Sequence, residues 1–287
     1  MIFVDTHAHI QFAGYKTDAD EVITRALEAG VMVINVGTQK DTSRYAVEML
    51  NRYPKGLYAA VGLHPEHTWR HLHDEDEGFF TREEGFDYEY YKSLAQNPRV
   101  VGIGECGLDY YWFKKSVESG ELTEGEVLEL KNRQKKVFEQ QGMLAQELNK
   151  VLCIHCRPSP GTSDAYDDLV SILKTLNFKK FEVHCFTGNL ASAKKLVGLG
   201  GYLGINGILT FDKTGKCADV VRNIPLEHII LETDAPYLSP APYRGKRNEP
   251  MYMIQTAQKV AELKDVELEA IARQTTENAN KLFGLGL

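Results

Sequence analysis

Val151-Leu152-Cys153-Ile154-His155, Phe181-Glu182-Val183-His184-Cys185 and Tyr202-Leu203-Gly204-Ile205-Asn206 lie within one stretch, residues 151–206, and decide the fold. Each is a short apolar run ending in a polar residue, the pattern of a buried strand. Between the first two, Leu169, Ile172, Leu173 and Leu176 recur at helical spacing, and residues 190–199 form a second helical segment before the third. Strand, helix and strand in quick succession are the repeating unit of a parallel sheet, because parallel neighbours need a crossover.

The same alternation extends in both directions. Upstream, Ile2-Phe3-Val4-Asp5, residues 31–37, residues 57–64 and residues 100–105 read as strands. The helix over residues 20–29 buries Val22, Ile23, Ala26 and Leu27 and stops at Gly30. Asp41-Thr42-Ser43 caps a helix that Pro54 and Gly56 terminate, and Thr123 with Glu126 forms a capping box for a long one. Downstream come a short helix near residues 217–221, a strand over residues 229–234 and two closing helices, residues 251–263 and 266–283. Eight strand–helix units favour closure into a single-domain α/β TIM barrel, (β/α)8, over residues 1–287, with an open doubly wound sheet as the runner-up. Two long excursions, residues 65–97 and 110–123, follow strands three and four. The first is acidic and histidine-bearing (His67, His71, His73) and reads as solvated; the second is aromatic and basic, from Tyr110 to Lys115.

Composition narrows the function classes. The 287 residues are 43% hydrophobic, enough for a large core, with no apolar run long enough to cross a bilayer and no basic-then-apolar leader. Five cysteines, an odd number, make no disulfide framework and fit a reducing compartment, cytoplasmic or, in a eukaryote, nuclear. A net charge of −7 excludes a broad basic surface for nucleic acid, but not a site whose positive charge comes from metal ions.

Chemistry in a (β/α) barrel sits at the carboxyl ends of the strands. Read in order, those ends carry His7 and His9, then His64, Glu105, His155, His184 and Asp234. Side chains alternate along a strand, so His7 and His9 share a face, and regular alternation adds Asp5 to it. Histidines and carboxylates gathered on one rim point to a metal centre. Glu105 can bridge two cations that together activate a water, and Asp234 can bind metal and accept that water's proton. Cys153 shares a face with His155, deeper in the barrel, while Cys156 faces away, so they form no zinc knuckle; Cys106 and Cys185 also lie opposite the ligands. Glu182 and Glu232, two residues before His184 and Asp234, should also point inward, as partners of a histidine, at a bulge, or in a polar barrel floor.

Several stretches resemble the TatD-like metal-dependent hydrolases of the amidohydrolase superfamily. They are Asp5-Thr6-His7-Ala8-His9, Gly62-Leu63-His64-Pro65, Gly102-Ile103-Gly104-Glu105-Cys106-Gly107-Leu108-Asp109 and Ile154-His155-Cys156-Arg157. His184-Cys185-Phe186-Thr187-Gly188, Leu231-Glu232-Thr233-Asp234-Ala235-Pro236-Tyr237, Arg244-Gly245-Lys246-Arg247-Asn248-Glu249-Pro250 and the closing Thr276 to Gly284 complete the set, in family order. The resemblance implies a TIM barrel with one or two divalent cations: His7, His9, Glu105 and Asp234 around one, Glu105, His155 and His184 around the other. Glu105 stands where related branches carry a carboxylated lysine, which favours this branch. The implied activity is a deoxyribonuclease removing nucleotides from 3′ ends, with magnesium as cofactor. His64, Arg157, Arg244 and Asn248 are its implied phosphate and substrate contacts. Histidine donors by themselves favour zinc, manganese or iron. The expected partner is DNA, single-stranded or at a 3′ end, with no membrane and no obligate protein partner. Aromatics beside Lys114 and Lys115 suit stacked bases, or simply pack the second excursion onto the barrel. Two other readings stand beside this one: hydrolysis of an ester or amide, including aminoacyl-tRNA, and nucleic-acid binding without catalysis.

Overall fold

The computed structural model describes residues 1–69 and 83–287. One sheet holds eight strands in chain order: β1 (Phe3–Ala8), β2 (Val31–Val36), β3 (Leu57–Val61), β4 (Val100–Asp109), β5 (Val151–Arg157), β6 (Phe181–Val183), β7 (Tyr202–Ile205) and β8 (Ile229–Leu231). Each neighbouring pair is parallel. Beyond β8 the chain turns back onto β1: Asp234 N–H donates to the His7 carbonyl at 2.8 Å and His9 N–H to the Ala235 carbonyl at 2.7 Å, around a parallel Ala8–Ala235 bridge. These bonds close the ring, so the barrel, and not the open sheet, is the fold.

Two apolar layers hold it. Phe3, Val33, Ile103, Ile154, Val183 and Leu203 face outward against helix residues such as Val22, Phe138, Leu169 and Leu196. Val4, Ile34, Val36, Val101, Val151, Cys153 and Ile230 belong to a separate inner cluster, joined by Leu282 and Phe283 of the last helix, Leu268–Phe283. Each such aliphatic, fully buried, contributes about 1.5–3 kcal/mol. The expected inward position of Cys153 matches this arrangement.

Two strands break regular alternation. In β1, Asp5 pairs with Val33 and Ala8 with Asn35, three residues against two, so β1 carries one extra residue. Val4 is therefore in the inner cluster while Phe3 and Ala8 are in the outer one. Asp5 does not join His7 and His9 as regular alternation implied. Its carboxylate accepts from the Thr233 N–H at 2.9 Å, the Thr233 hydroxyl at 2.5 Å and the His7 N–H at 3.3 Å. In β4 the register slips between Ile103 and Cys106 against Leu152 and Ile154. Gly104 and Gly107 have φ of 150° and 139°, and a Cβ on either would sit 2.4 or 2.0 Å from a β5 carbonyl oxygen. Glycine at both positions lets β4 lie this close to β5 and swing Glu105 into the site.

The capping box is present: Thr123 and Glu126 exchange bonds at 2.8 and 3.3 Å at the head of the helix Glu124–Glu147. The second helix starts earlier than expected, at Lys40, because Gln39 and Thr42 cap each other, and its α-helical part ends at Met49. The opening of the first excursion is not solvated as expected: it is a 3-10 turn, Pro65–Thr68, in which Pro65, His67 and Thr68 are buried. His71 and His73 lie outside the described residues. In the second excursion Tyr110 and Phe113 pack into the outer core, as the packing alternative held, whereas Tyr111 and Trp112 stay half-buried. No described helix is long and apolar enough to cross a membrane.

Candidate metal centre

The strand ends converge on Glu105. Its Oε1 lies 2.7 Å from His184 Nε2, 3.1 Å from His155 Nδ1 and 3.5 Å from His64 Nε2. Its Oε2 lies 3.4 Å from His7 Nε2 and 3.7 Å from His9 Nε2. Asp234 closes the second group, with Oδ1 3.3 Å from His9 Nε2. One carboxylate thus faces two sets of imidazoles, one with each oxygen. The structure brings together the expected residues His7, His9, Glu105, His155, His184 and Asp234.

Neighbouring groups fix the rings. His9 Nδ1 is 2.7 Å from the Val36 carbonyl, and a carbonyl only accepts, so Nδ1 carries the proton and Nε2 faces the carboxylates. The His9 ring also stacks on Phe12 with centroids 4.5 Å apart, and His7 stacks on His184 at 3.9 Å. His155 Nε2 is 2.8 Å from Asp109 Oδ2, which leaves Nδ1 towards Glu105. Asp109 had no assigned role in the sequence; its signal was parity, since Asp109 stands two pleats beyond Glu105 on one strand.

Electrostatics follow from burial and crowding. Burial opposes the charge on Glu105, but the imidazoles of His184, His64 and His7 outweigh it and hold the carboxyl well below the usual range. Burial likewise opposes charge on His9, yet the Asp234 bond and the Glu105 charge raise it to about 9. His155 is raised to about 10 against burial by Asp109 and Glu105. His7 goes the other way, down to about 4, because burial and the nearby His184 dominate. Below the site, burial pushes Asp5 to about 7 and Glu182 to about 8. Glu232 Oε1 accepts from Cys185 N–H at 2.6 Å and Asn206 Nδ2 at 3.1 Å, and lies 3.8 Å from His184 Nδ1. Glu182 and Glu232 together make a polar floor, with Glu232 also set beside a site histidine.

The donor set fits divalent cations. His7 is fully buried, yet neither ring nitrogen has a hydrogen-bond partner among the described residues. Such an orphan is costly unless something else engages it. His7, His9 and Glu105 present ligand atoms within 4.8 Å of one another, and so do His64, Glu105 and His155. Nitrogen and oxygen donors at this spacing suit a divalent cation with open positions for water.

A cavity of about 530 Å³ opens over these groups, lined also by Thr38, Glu66 and Arg157. Of the residues expected at substrate, Arg157 lines it, and His64 faces Glu105 as closely as a ligand would. Arg244 lies outside it, stacked 3.8 Å from the Phe211 ring centroid. Asn248 is fully buried, and its amide donates to the Thr233 and Tyr237 carbonyls at 3.0 and 2.7 Å. Both amide protons of Asn248 therefore hold the loop after β8, with no donor left for a substrate. Glu66, unforeseen, lines the cavity, accepts from Trp112 Nε1 at 3.0 Å, and is pushed to about 7 by burial and by Asp109.

The (β/α)8 barrel carrying this His/Glu cluster at its carboxyl rim is that of a metal-dependent hydrolase. The sequence profile described as "TatD related DNase" matches residues 4–284. Similar proteins include the uncharacterized metal-dependent hydrolase YabD of Bacillus subtilis, 39% identical over 99% of each chain. YcfH of Escherichia coli, also an uncharacterized metal-dependent hydrolase, is 30% identical over 99% of this chain and 96% of its own. The crystal structure of YjjV, a TatD homologue from E. coli, superposes with a TM-score of 0.80 at 26% identity, over 98% of both chains. The chain belongs to the TatD family.

Proposed function

We propose that this one-domain hydrolase is a deoxyribonuclease that removes nucleotides from 3′ ends of DNA, with magnesium as the working cation and zinc or manganese as alternatives. The observation that carries the reading is Glu105, whose two oxygens face separate histidine sets at 2.7–3.5 Å and 3.4–3.7 Å. That arrangement suits a carboxylate bridging two cations, the pattern used for phosphodiester displacement. The family description "TatD related DNase" supports the substrate.

In this reading His7, His9, Glu105 and Asp234 would hold one cation, and Glu105, His155 and His184 the other. Bound divalent cations supply Lewis acidity and neutralise charge at the phosphoryl group. Asp234 Oδ1, 3.3 Å from His9, accepts the proton of the attacking water. Arg157 at the cavity wall binds a phosphate oxygen through its planar fork. His64 orients the scissile phosphate from the β3 side.

The test is incubation of the purified protein with single-stranded DNA labelled at either end, with and without magnesium. Metal-dependent release of the 3′ label as a mononucleotide is expected, with Glu105→Ala slowed by at least about 10³-fold. No metal-dependent shortening, or a Glu105→Ala variant as active as the parent, overturns the nuclease reading and returns ester or amide hydrolysis to the front.

A further inference from the structure

Beside the metal centre lies a second cavity of about 560 Å³, which shares Arg157 and Thr187 with the first. We infer that this second cavity receives the nucleotide flanking the scissile phosphate of a single-stranded oligonucleotide. The inference rests on the phosphodiesterase reading of the metal centre and extends it from a bond to a substrate length.

Charge is the first support. The chain has 40 acidic residues against 33 basic ones, yet Arg157 and Lys216 line this cavity and, among the described residues, no aspartate or glutamate does. A third cavity, over the helix Ala19–Glu28, is by contrast mixed in charge, with Asp20, Glu21 and Glu48 beside Lys16 and Arg52. The carboxylates bordering the second cavity are already engaged: Asp164 pairs with Lys131 and Asp167 with Lys195, both at 2.9 Å. Its remaining polar wall includes Ser159, Thr162 and Thr187, but the hydroxyls of Ser159 and Thr162 already donate to Asp164, so Arg157 and Lys216 are the groups the cavity offers an anion. These two cations suit an anionic occupant.

Arg157 supplies the second support, because it stands at the junction. Its guanidinium lies 3.7 Å from the Tyr111 ring centroid and 5.7 Å from that of Trp112, and Trp112 is itself tied to Glu66. Among the described residues no carboxylate pairs with Arg157. Stacking on an aromatic face holds the planar fork in place while leaving its edge N–H groups for an anion. A strand whose scissile phosphate sits at the metals thus meets Arg157 with its next phosphate, Tyr111 with a base, and Lys216 farther along. The volume suits one such unit, since ligand cavities run from about 300 to 1,000 Å³. A small ester would leave the second cavity unused.

Tyr111→Ala and Lys216→Ala test this in the full-length protein. Binding of a fluorescein-labelled oligothymidylate is read by anisotropy in EDTA, where no turnover occurs. Tyr111→Ala should weaken it about tenfold. Lys216→Ala should weaken it and lower the slope of log affinity against log salt by about 0.7, one lost single-strand phosphate contact. With manganese present, both variants should lose several-fold more kcat/KM on the oligonucleotide than on bis(p-nitrophenyl) phosphate, which is too short to span the junction. Oligothymidylate affinity within twofold of the parent for both variants, or equal losses on both substrates, overturns the inference. A parent protein that binds oligothymidylate through these residues but cuts no DNA leaves the cavity standing and removes the nuclease reading. A parent that cuts DNA equally well without them does the reverse.

Discussion

Asp109 Oδ2 lies 2.8 Å from His155 Nε2, on the far side of the ring from Glu105. Asp109 Oδ1 is itself held by the Tyr111 N–H at 2.9 Å, so the carboxylate has one orientation. A carboxylate oxygen here accepts from Nε2–H, which leaves Nδ1 as the ring nitrogen that faces Glu105 and would face a cation. Asp109→Asn keeps the size and the Tyr111 bond but presents an amide where the acceptor stood. Calorimetric titration with manganese should show affinity down about 10- to 100-fold. Affinity within twofold of the parent would leave Asp109 without this orienting role.

Glu105 is 4% exposed and ringed by His7, His64, His155 and His184. A ligand that binds only the folded state stabilises it by about 2.7 kcal/mol at a hundredfold excess over its Kd. For a chain of this size that raises the melting temperature by about 5–10 °C. Chelation with EDTA should remove this increment and added zinc or manganese restore it, as followed by differential scanning fluorimetry. Glu105→Gln keeps the shape but cannot bridge as an anion, so its melting point should no longer respond to the metal. An undiminished response in that variant would place the cation elsewhere.

The strands and their order were legible because each is a compact apolar run bounded by turn residues, and the rim ligands because they end those runs. What escaped notice belongs to contacts between elements. Alternation is a property of one strand, but the extra residue in β1 exists only in its pairing with β2, and it turns Asp5 away from His7 and His9 towards Thr233. Asn248 reads as a loop residue near a basic stretch; only packing against the turn after β8 consumes its amide. Glu66 sits in an acidic excursion and becomes a cavity residue because Trp112, 46 positions later, comes to meet it. Of the aromatic run, Tyr110 and Phe113 went to the core, while Tyr111 and Trp112 stayed half-buried beside Arg157.

Asp164 opens the helix Asp164–Leu176 and gathers bonds from Ser159 N–H, Ser159 Oγ, Thr162 Oγ1 and Lys131 Nζ, all at 2.8–2.9 Å. Burial opposes its charge, but these donors prevail and lower its pKa from 3.8 to about 2. A depressed folded-state pKa stabilises the fold above the unfolded value, and that stability is lost as pH falls through the folded one. Asp164→Asn should therefore cost about 1 kcal/mol at pH 7, the partial exposure of the pair being discounted. In urea unfolding the gap between parent and variant should hold down to pH 4 and narrow between pH 4 and pH 2. A gap that stays constant through that window would show the loss to be packing and not charge.

Gly107 links backbone geometry to the metal centre most directly. It pairs with His155 across β4 and β5 at φ 139°, and a Cβ there would stand 2.0 Å from the His155 carbonyl oxygen and 3.0 Å from its carbonyl carbon. The obstructing atoms are main chain, so no rotamer change relieves the contact; β4 and β5 must separate. That separation moves His155 away from Glu105 and Asp109 from His155, since all three hang on these two strands. Gly107→Ala should therefore lose at least about 2 kcal/mol in urea unfolding and also bind cation more weakly. Gly125→Ala is the control: that position, on the first turn of the helix Glu124–Glu147, has its nearest contact at 3.9 Å and should cost nothing. Equal stability of the two variants would mean that β4 and β5 are not held at the spacing that aims His155 at Glu105.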